Sequence, residues 1–381
     1  MSDAFKIVQV APDEPTFRQY AGELERAITP SLPQFKTVYF KPLDRKSDLK
    51  KISQEILSHI PDLIHFQHEY GCFGSKLPLL YRFPEWLDEI FKHTTAKVVA
   101  TAHTVMGDGF KYPIQSRNWQ TPLRLVANRI MMARLIHYWN HSSWGELDGV
   151  IVHSDLQAQI IQHSSQAVVT VIPHFVPTHT PHPHAHSQWL SGLEPDEKII
   201  LVFGYITPEK GQDIVINAMN ELGTKARLII AGGLRRNQDE AYLKHCKKLI
   251  DTLGLGSKVK ITGFIPFEEL DALSARADLV VAPFKWTSGS GSLANLMSRK
   301  MPILASDLPL NLELEKRVPG CLSFFKSADA SDCAKVMDAL LQNKELTTKM
   351  RHQAGVYAQK YSVSHIATLH REFYQRLLGE L

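Results

Sequence analysis

Ile199-Ile200-Leu201-Val202-Phe203-Gly204-Tyr205-Ile206-Thr207-Pro208-Glu209-Lys210-Gly211, continued by Gln212-Asp213-Ile214-Val215-Ile216-Asn217-Ala218, reads as a strand, a turn and a helix in succession. A short β-branched apolar run closed by glycine suits a buried strand, and the apolar spacing after Gln212 suits a helix. The same alternation recurs outward in both directions. It predicts strands at 199–203, 226–230, 259–262, 277–282, 302–305 and 321–325, and an earlier series at 6–10, 37–40, 62–67, 97–102, 149–153 and 168–172. Helical segments such as 14–29 and 76–93 separate them. This is the pattern of an α/β fold with parallel sheets. Two such regular series exceed one sheet, so the reading is two doubly wound, Rossmann-like domains.

Composition agrees with that size. The chain has 381 residues, 44% hydrophobic and 22% charged, with a formal charge of +4, an ordinary globular balance with no bias toward nucleic acid. The start of the chain does not read as a signal peptide, and no apolar run approaches the ~18–20 residues of a membrane span. Cys72, Cys246, Cys321 and Cys333 are scattered, which fits a reduced cytoplasmic setting. The expected domains are 1–178 and 199–363, joined by a Pro- and His-rich linker at 179–198. The amphipathic terminal segment 364–381 is expected to pack back on the first domain. His179, His182, His184 and His186 lie in the linker without an intervening carboxylate or cysteine, so a flexible linker is preferred there to a metal site.

Gly204 at a strand's carboxyl end permits close backbone approach to a ligand, and Lys210 before a helix offers charge to a phosphate. The spacing is not GxGxxG, which argues against a dehydrogenase. After the strand at 277–282 comes Thr287-Ser288-Gly289-Ser290-Gly291-Ser292 and then a helix. Alternating serine and glycine at a helix start supplies free N–H groups and hydroxyls suited to a diphosphate or a sugar. These turns sit where open α/β sheets bind ligands.

From Ile199 to Leu341 the chain resembles the C-terminal domain of retaining GT-B glycosyltransferases of the group-1 (family-4) type. The resemblance is carried by Phe203-Gly204 with Lys210-Gly211, Leu228-Ile229-Ile230-Ala231-Gly232-Gly233, Ile261-Thr262-Gly263-Phe264-Ile265, Glu268-Glu269-Leu270, Ala277-Asp278-Leu279-Val280-Val281-Ala282-Pro283, and Met297 through Pro302-Ile303-Leu304-Ala305-Ser306-Asp307. The first half matches more loosely, through Phe66-Gln67-His68-Glu69-Tyr70-Gly71, Ala102-His103-Thr104 and Val171-Ile172-Pro173-His174.

The resemblance implies two domains facing across a cleft, with a nucleotide-diphosphate sugar (UDP- or GDP-sugar) as co-substrate on the second and an acceptor on the first. It implies no metal and no further cofactor, since cationic groups and helix dipoles neutralise the departing diphosphate. Lys210 would contact the diphosphate, Gly263-Phe264-Ile265 would meet the base, and Gly204, Tyr205, Gly211, Gly232, Gly233 and residues 287–292 with Asn295 would complete the donor side. His103 would face the sugar as the catalytic histidine, with Gln67 and Glu69 toward the acceptor. The chain departs from the family at Tyr205, where arginine is usual. It departs again at Thr287 and Asn295, which stand for two glutamates, and at Lys300, which replaces a glycine. Lys285, Arg299 and Lys300 are candidates for the missing cation. The loop Pro12-Asp13-Glu14-Pro15 also lacks a glycine pair common in the family.

The function expected is transfer of a hexose, with retention, to a glycan or lipid-linked acceptor. The alternatives are a non-catalytic protein that binds a nucleotide sugar or a partner, and a nucleotide-sugar epimerase. Residues 109–145 carry Lys111, Arg117, Arg124, Arg129 and Arg134 with Trp119, Tyr138, Trp139 and Trp144. They offer a peripheral contact with anionic membrane on the inner face, against the reading of a core-packed helix with solvated arginines.

Overall fold

A computed structural model describes residues 5–41, 46–73, 81–107, 122, 132–182, 184–235, 237–286 and 291–379. The chain divides into two compact units, one of Met1–His174 with Val363–Leu381 and one of Phe175–Ser362.

The first unit runs β1 (Ile7–Pro12), α1 (Pro15–Ile28), β2 (Phe35–Phe40), α2 (Lys46–Ser58), β3 (Leu63–His68), α3 (Phe83–Phe91), β4 (Lys97–Ala102), α4 (Met132–Trp144), β5 (Gly149–Val152), α5 (Asp155–Gln162) and β6 (Val168–Val171). Its sheet has the order β2-β1-β3-β4-β5-β6, every pairing parallel. Burial on both faces explains why β1 (Ile-Val-Gln-Val-Ala-Pro) and β5 (Gly-Val-Ile-Val) carry near-continuous apolar runs. Helix α3 starts at Phe83 rather than the expected 76, because Pro84 lies in its first turn, the one place a helix accepts proline; residues 76–80 lie outside the described set.

The second unit runs β7 (Lys198–Phe203), α6 (Gln212–Glu221), β8 (Ala226–Ala231), α7 (Glu240–Thr252), β9 (Val259–Gly263), α8 (Phe267–Arg276), β10 (Leu279–Ala282), α9 (Gly291–Ser298), β11 (Ile303–Ser306), α10 (Pro309–Arg317), β12 (Leu322–Phe325), α11 (Ala330–Gln342) and α12 (Lys344–Lys360). Its sheet order is β12-β11-β10-β7-β8-β9, again parallel throughout. Both sheets reverse direction once, between β1 and β3 in the first and between β7 and β10 in the second. Such reversal points open a crevice at the strands' carboxyl ends.

The terminal helix α13 (Val363–Leu378) packs on the first sheet. Tyr374 bonds His65 at 2.7 Å, and Phe373 covers Gly149 so closely that a Cβ there would meet its ring. Residues 179–191 differ from the flexible linker expected. They are tied into the second unit, where His179 and His182 both bond the buried Asp271 at 2.9 and 2.7 Å. The prolines stop helix formation there, yet a carboxylate on α8 gives the histidines partners. Among the described residues, no cluster of His, Cys, Asp and Glu could hold a metal ion.

The described part of the aromatic stretch follows the core-packed reading. Trp139 and Trp144 are core residues, 5% and 0% exposed, so of the described aromatics there only Tyr138 faces solvent. Lys111, Arg117, Trp119, Arg124 and Arg129 lie outside the described residues, as does the Arg134 side chain. Among the described residues no helix is long and apolar enough to cross a membrane.

Candidate functional site

In the second unit, four turns meet at the carboxyl edge of the sheet. Gly204 ends β7 with φ 131°, Gly211 opens α6 with φ 68°, and Gly263 ends β9 with φ 75°, values that suit glycine and few other residues. Gly204 donates its N–H to Ala231, and Ile206 donates to Gly233 at 2.9 Å. A Cβ on Gly232 would collide with the Gly204 carbonyl, and one on Gly211 with the Pro283 carbonyl. The Lys285 N–H closes the set by donating to the Glu209 carbonyl at 2.9 Å. The turns after β7 and β10 are therefore locked together at the reversal point.

Lys210 lies in this corner. Its ammonium stands 4.0 Å over the Phe284 ring and has no carboxylate ion pair among the described residues. Burial lowers its pKa to about 8, Glu209 opposing and the nearby Arg235 adding to the depression. A cation kept partly desolvated with a second cation beside it is poised for an anion. Thr207 and Gln212, each 1% exposed, keep a hydroxyl and an amide oxygen without partners among the described residues. Tyr205 and Phe264 form an edge-to-face pair at 6.0 Å, 38% and 70% exposed. Ile265 follows half-buried.

The sequence-based candidates for a missing cation do not fit. Lys285 is paired with Asp213 at 2.8 Å, and Tyr242 bonds the same carboxylate at 2.6 Å. Arg299 is paired with Asp271 at 2.9 Å, and it lies with Lys300 past the far end of α9, just before β11 begins. That places both at the amino edge of the sheet, a helix length away from the glycine turns. Arg235, which the sequence reading passed over, is a second cation beside Lys210 at the carboxyl edge; its position two residues after Gly232-Gly233 was the available signal.

Thr287, Ser288, Gly289 and Ser290 lie outside the described residues, as does the side chain of Ser292. Gly291 begins α9 and is exposed. Asn295 donates to the Gly291 carbonyl at 2.9 Å within that helix.

In the first unit, His103 follows β4. Its Nε2 is 2.8 Å from Gln67 Oε1, and its Nδ1 is 3.2 Å from His153 Nε2. Gln67 donates to Gln9 at 2.7 Å, which donates in turn to Thr37 and to the Ala21 carbonyl. His153 reaches the Ile172 carbonyl at 2.9 Å. Phe17 and Tyr20 press ring edges on His103 at 5.1 and 4.8 Å. Burial, with His153, His174, His65 and His68 nearby, holds the His103 pKa well below the ordinary histidine value. The His103 Nε2–H is thus donated to Gln67 within the unit, and Nδ1 faces His153. Gln67 is fully buried; its amide orders His103 rather than facing an acceptor. Glu69 accepts from Thr104 at 2.7 Å and stays partly exposed.

A pair of doubly wound, parallel six-stranded units, one with a cationic, glycine-lined carboxyl edge, is the architecture of the GT-B class. Residues 187–361, a little under half of the chain, match the family model of glycosyl transferases group 1. Alpha-D-kanosaminyltransferase of Streptomyces kanamyceticus is 30% identical over 48% of this chain, which spans about half, 47%, of that relative's length. D-inositol 3-phosphate glycosyltransferase of Mycobacterium sp. (strain KMS) is 26% identical over 94% of this chain and 77% of its own. Among solved structures, Anabaena HepE in complex with UDP superposes with TM-score 0.71 at 16% identity, covering 97% of this chain and 100% of that one. Sucrose-phosphate synthase from Thermosynechococcus elongatus gives 0.72 at 15% identity, over 99% and 100%. Those two likenesses bear on the fold.

Proposed function

We propose that the protein transfers a hexose from a nucleoside-diphosphate sugar to a glycan or lipid-linked acceptor, with retention and without a metal ion. The observation that carries the reading is Lys210, a cation of lowered pKa with no carboxylate ion pair among the described residues, inside a cage of glycine turns with Arg235 beside it. A departing nucleoside diphosphate gains negative charge, and fixed cations with the positive dipole end of α6 lower that barrier without reorganising. Arg235 takes the place of the family's arginine at Tyr205. Tyr205 and Phe264 offer ring faces to the base, and the Gly263 turn offers it backbone. The HepE complex with UDP supports a uridine donor, and the D-inositol 3-phosphate glycosyltransferase supports a hydroxylated acceptor.

His103 acts at the donor sugar only when its bonds to Gln67 or His153 open. Asn295, bonded within its own helix, and Thr287 carry no charge where the family has glutamates, and this favours a second reading: binding of a nucleotide sugar without turnover. One experiment separates the two. The protein is incubated with a panel of UDP- and GDP-hexoses, with and without lipid-diphosphate and glycan acceptors, while melting temperature and released nucleoside diphosphate are measured together. Stabilisation with acceptor-dependent release supports transfer; stabilisation without release supports the second reading. No stabilisation by any nucleotide sugar sinks both.

A further inference from the structure

The amino edge of the second sheet, opposite the glycine turns, holds a separate cavity of about 780 Å³. That is a volume in the range of sites for small organic ligands. It is lined on one side by 179–191 and on the other by the last turn of α8, residues 298–300 and α12. Four cations contribute: Arg276, Arg299, Lys300 and Arg351. Two are neutralised, Arg276 by Asp278 at 3.0 Å and Arg299 by Asp271 at 2.9 Å. Arg351 spends one arm on the Ala277 carbonyl at 2.6 Å and turns the other to the Met301 sulfur; it has no carboxylate ion pair among the described residues. Lys300 likewise has none, and it is held at φ 54°, a left-handed conformation uncommon for lysine.

The walls are fixed. His179, His182 and Arg299 all converge on Asp271, pinning the 179–191 segment to α8. Ser274 also lines the cavity, 4% exposed, with its hydroxyl oxygen buried and without a hydrogen-bond partner among the described residues.

We propose that this cavity binds a phosphomonoester of a sugar or small polyol, at a site distinct from the nucleotide turns. The lining sets four cations, Arg276, Arg299, Lys300 and Arg351, against the carboxylates of Asp271 and Asp278, an excess of positive charge that suits a phosphate. The volume exceeds what phosphate alone fills and leaves room for the rest of a small sugar or polyol. The site lies past the opposite ends of the same strands, so its occupant and the nucleotide bind at once.

The test is calorimetry on the full chain with glucose 6-phosphate, inorganic phosphate and glucose as probes. Glucose 6-phosphate should bind at least tenfold more tightly than either of the others. Lys300→Asn keeps a residue that tolerates the left-handed backbone and should weaken glucose 6-phosphate at least tenfold. Arg351→Gln should do the same, and its melting temperature shows whether lost contact with Ala277 matters. Lys210→Ala should leave glucose 6-phosphate binding unchanged, and saturating UDP should not displace it. Absence of binding, binding indifferent to Lys300→Asn, or competition with UDP would each overturn the assignment. Since the site is argued without reference to transfer, it stands or falls apart from the proposed activity.

Discussion

At Lys210 the pH dependence of binding follows from burial. The free protein holds its pKa at about 8, and a diphosphate bound beside it favours the charged form and raises that value. The sign is fixed: UDP affinity is full below pH 8 and declines above it, until the pKa of the complex is reached. Each pH unit above 8 should cost close to tenfold in affinity, or about 1.4 kcal/mol, and UDP binding near pH 8 should take up protons. Calorimetry in buffers of different ionisation enthalpy reads this directly. Lys210→Arg stays charged throughout and should flatten the profile, while Lys210→Ala should lose roughly ten- to a hundredfold, the worth of a charge-assisted bond. An unchanged profile in Lys210→Arg would remove the lysine from the site. His103 behaves differently, since its replacement by alanine strands Gln67 Oε1 and His153 Nε2 in a buried setting. His103→Ala should therefore lower stability by about 1–3 kcal/mol for the lost bonding as well as turnover. A turnover loss confined to the unfolded fraction would make the residue structural alone.

The elements were the legible part. All twelve strands expected from the sequence are present, because parallel strands buried on both faces must be apolar nearly throughout. Their order is set by chain reversals that the pattern does not record. The glycines were legible too, for a reason composition cannot separate. Gly211 and Gly232 are demanded by neighbouring carbonyls of Pro283 and Gly204, so they mark the interlocking of the turns as much as a ligand. What was not legible was pairing at long range. Lys285 reads as a free cation until Asp213 is found 2.8 Å away, and Arg299 reads as near the donor until α9 carries it to the other edge. Gly211→Ala tests the interlock. It forces a Cβ against the Pro283 carbonyl and onto a left-handed backbone, which alone costs about 1–2 kcal/mol. Melting temperature and UDP affinity should both fall; a variant with native melting and native UDP binding would show the turns to be independent.

Across the whole molecule, acid should act on the two units in sequence. The first unit buries His65, His68, His103 and His370, and burial depresses each: His68 to about 3, His370 to about 4, the other two well below the ordinary value. Below pH ~6.5 the unfolded chain takes up protons that the folded unit refuses, so stability falls as pH falls. Each such histidine contributes about 1.4 kcal/mol per pH unit until its folded pKa is reached, and four together approach a domain's entire stability within about two units. In the second unit the depressed acids include Asp271, held at about 2 against its desolvation by His182, His179 and Arg299, together with Asp307 and Asp338. Their contribution is present above the ordinary carboxylate pKa and is lost only as pH drops below it. Between pH 6.5 and 4.5 the first sheet should accordingly lose protection while the second keeps it. Hydrogen exchange read by peptide mass at pH 7, 6, 5 and 4.5, corrected for intrinsic rates, resolves the two. His68→Phe should move the first unit's loss to lower pH, since the ring it replaces lies stacked 4.9 Å from Phe73 and among Phe83 and Trp144. Simultaneous loss in both units, or none above pH 4.5, would mean that the buried histidines do not govern acid stability.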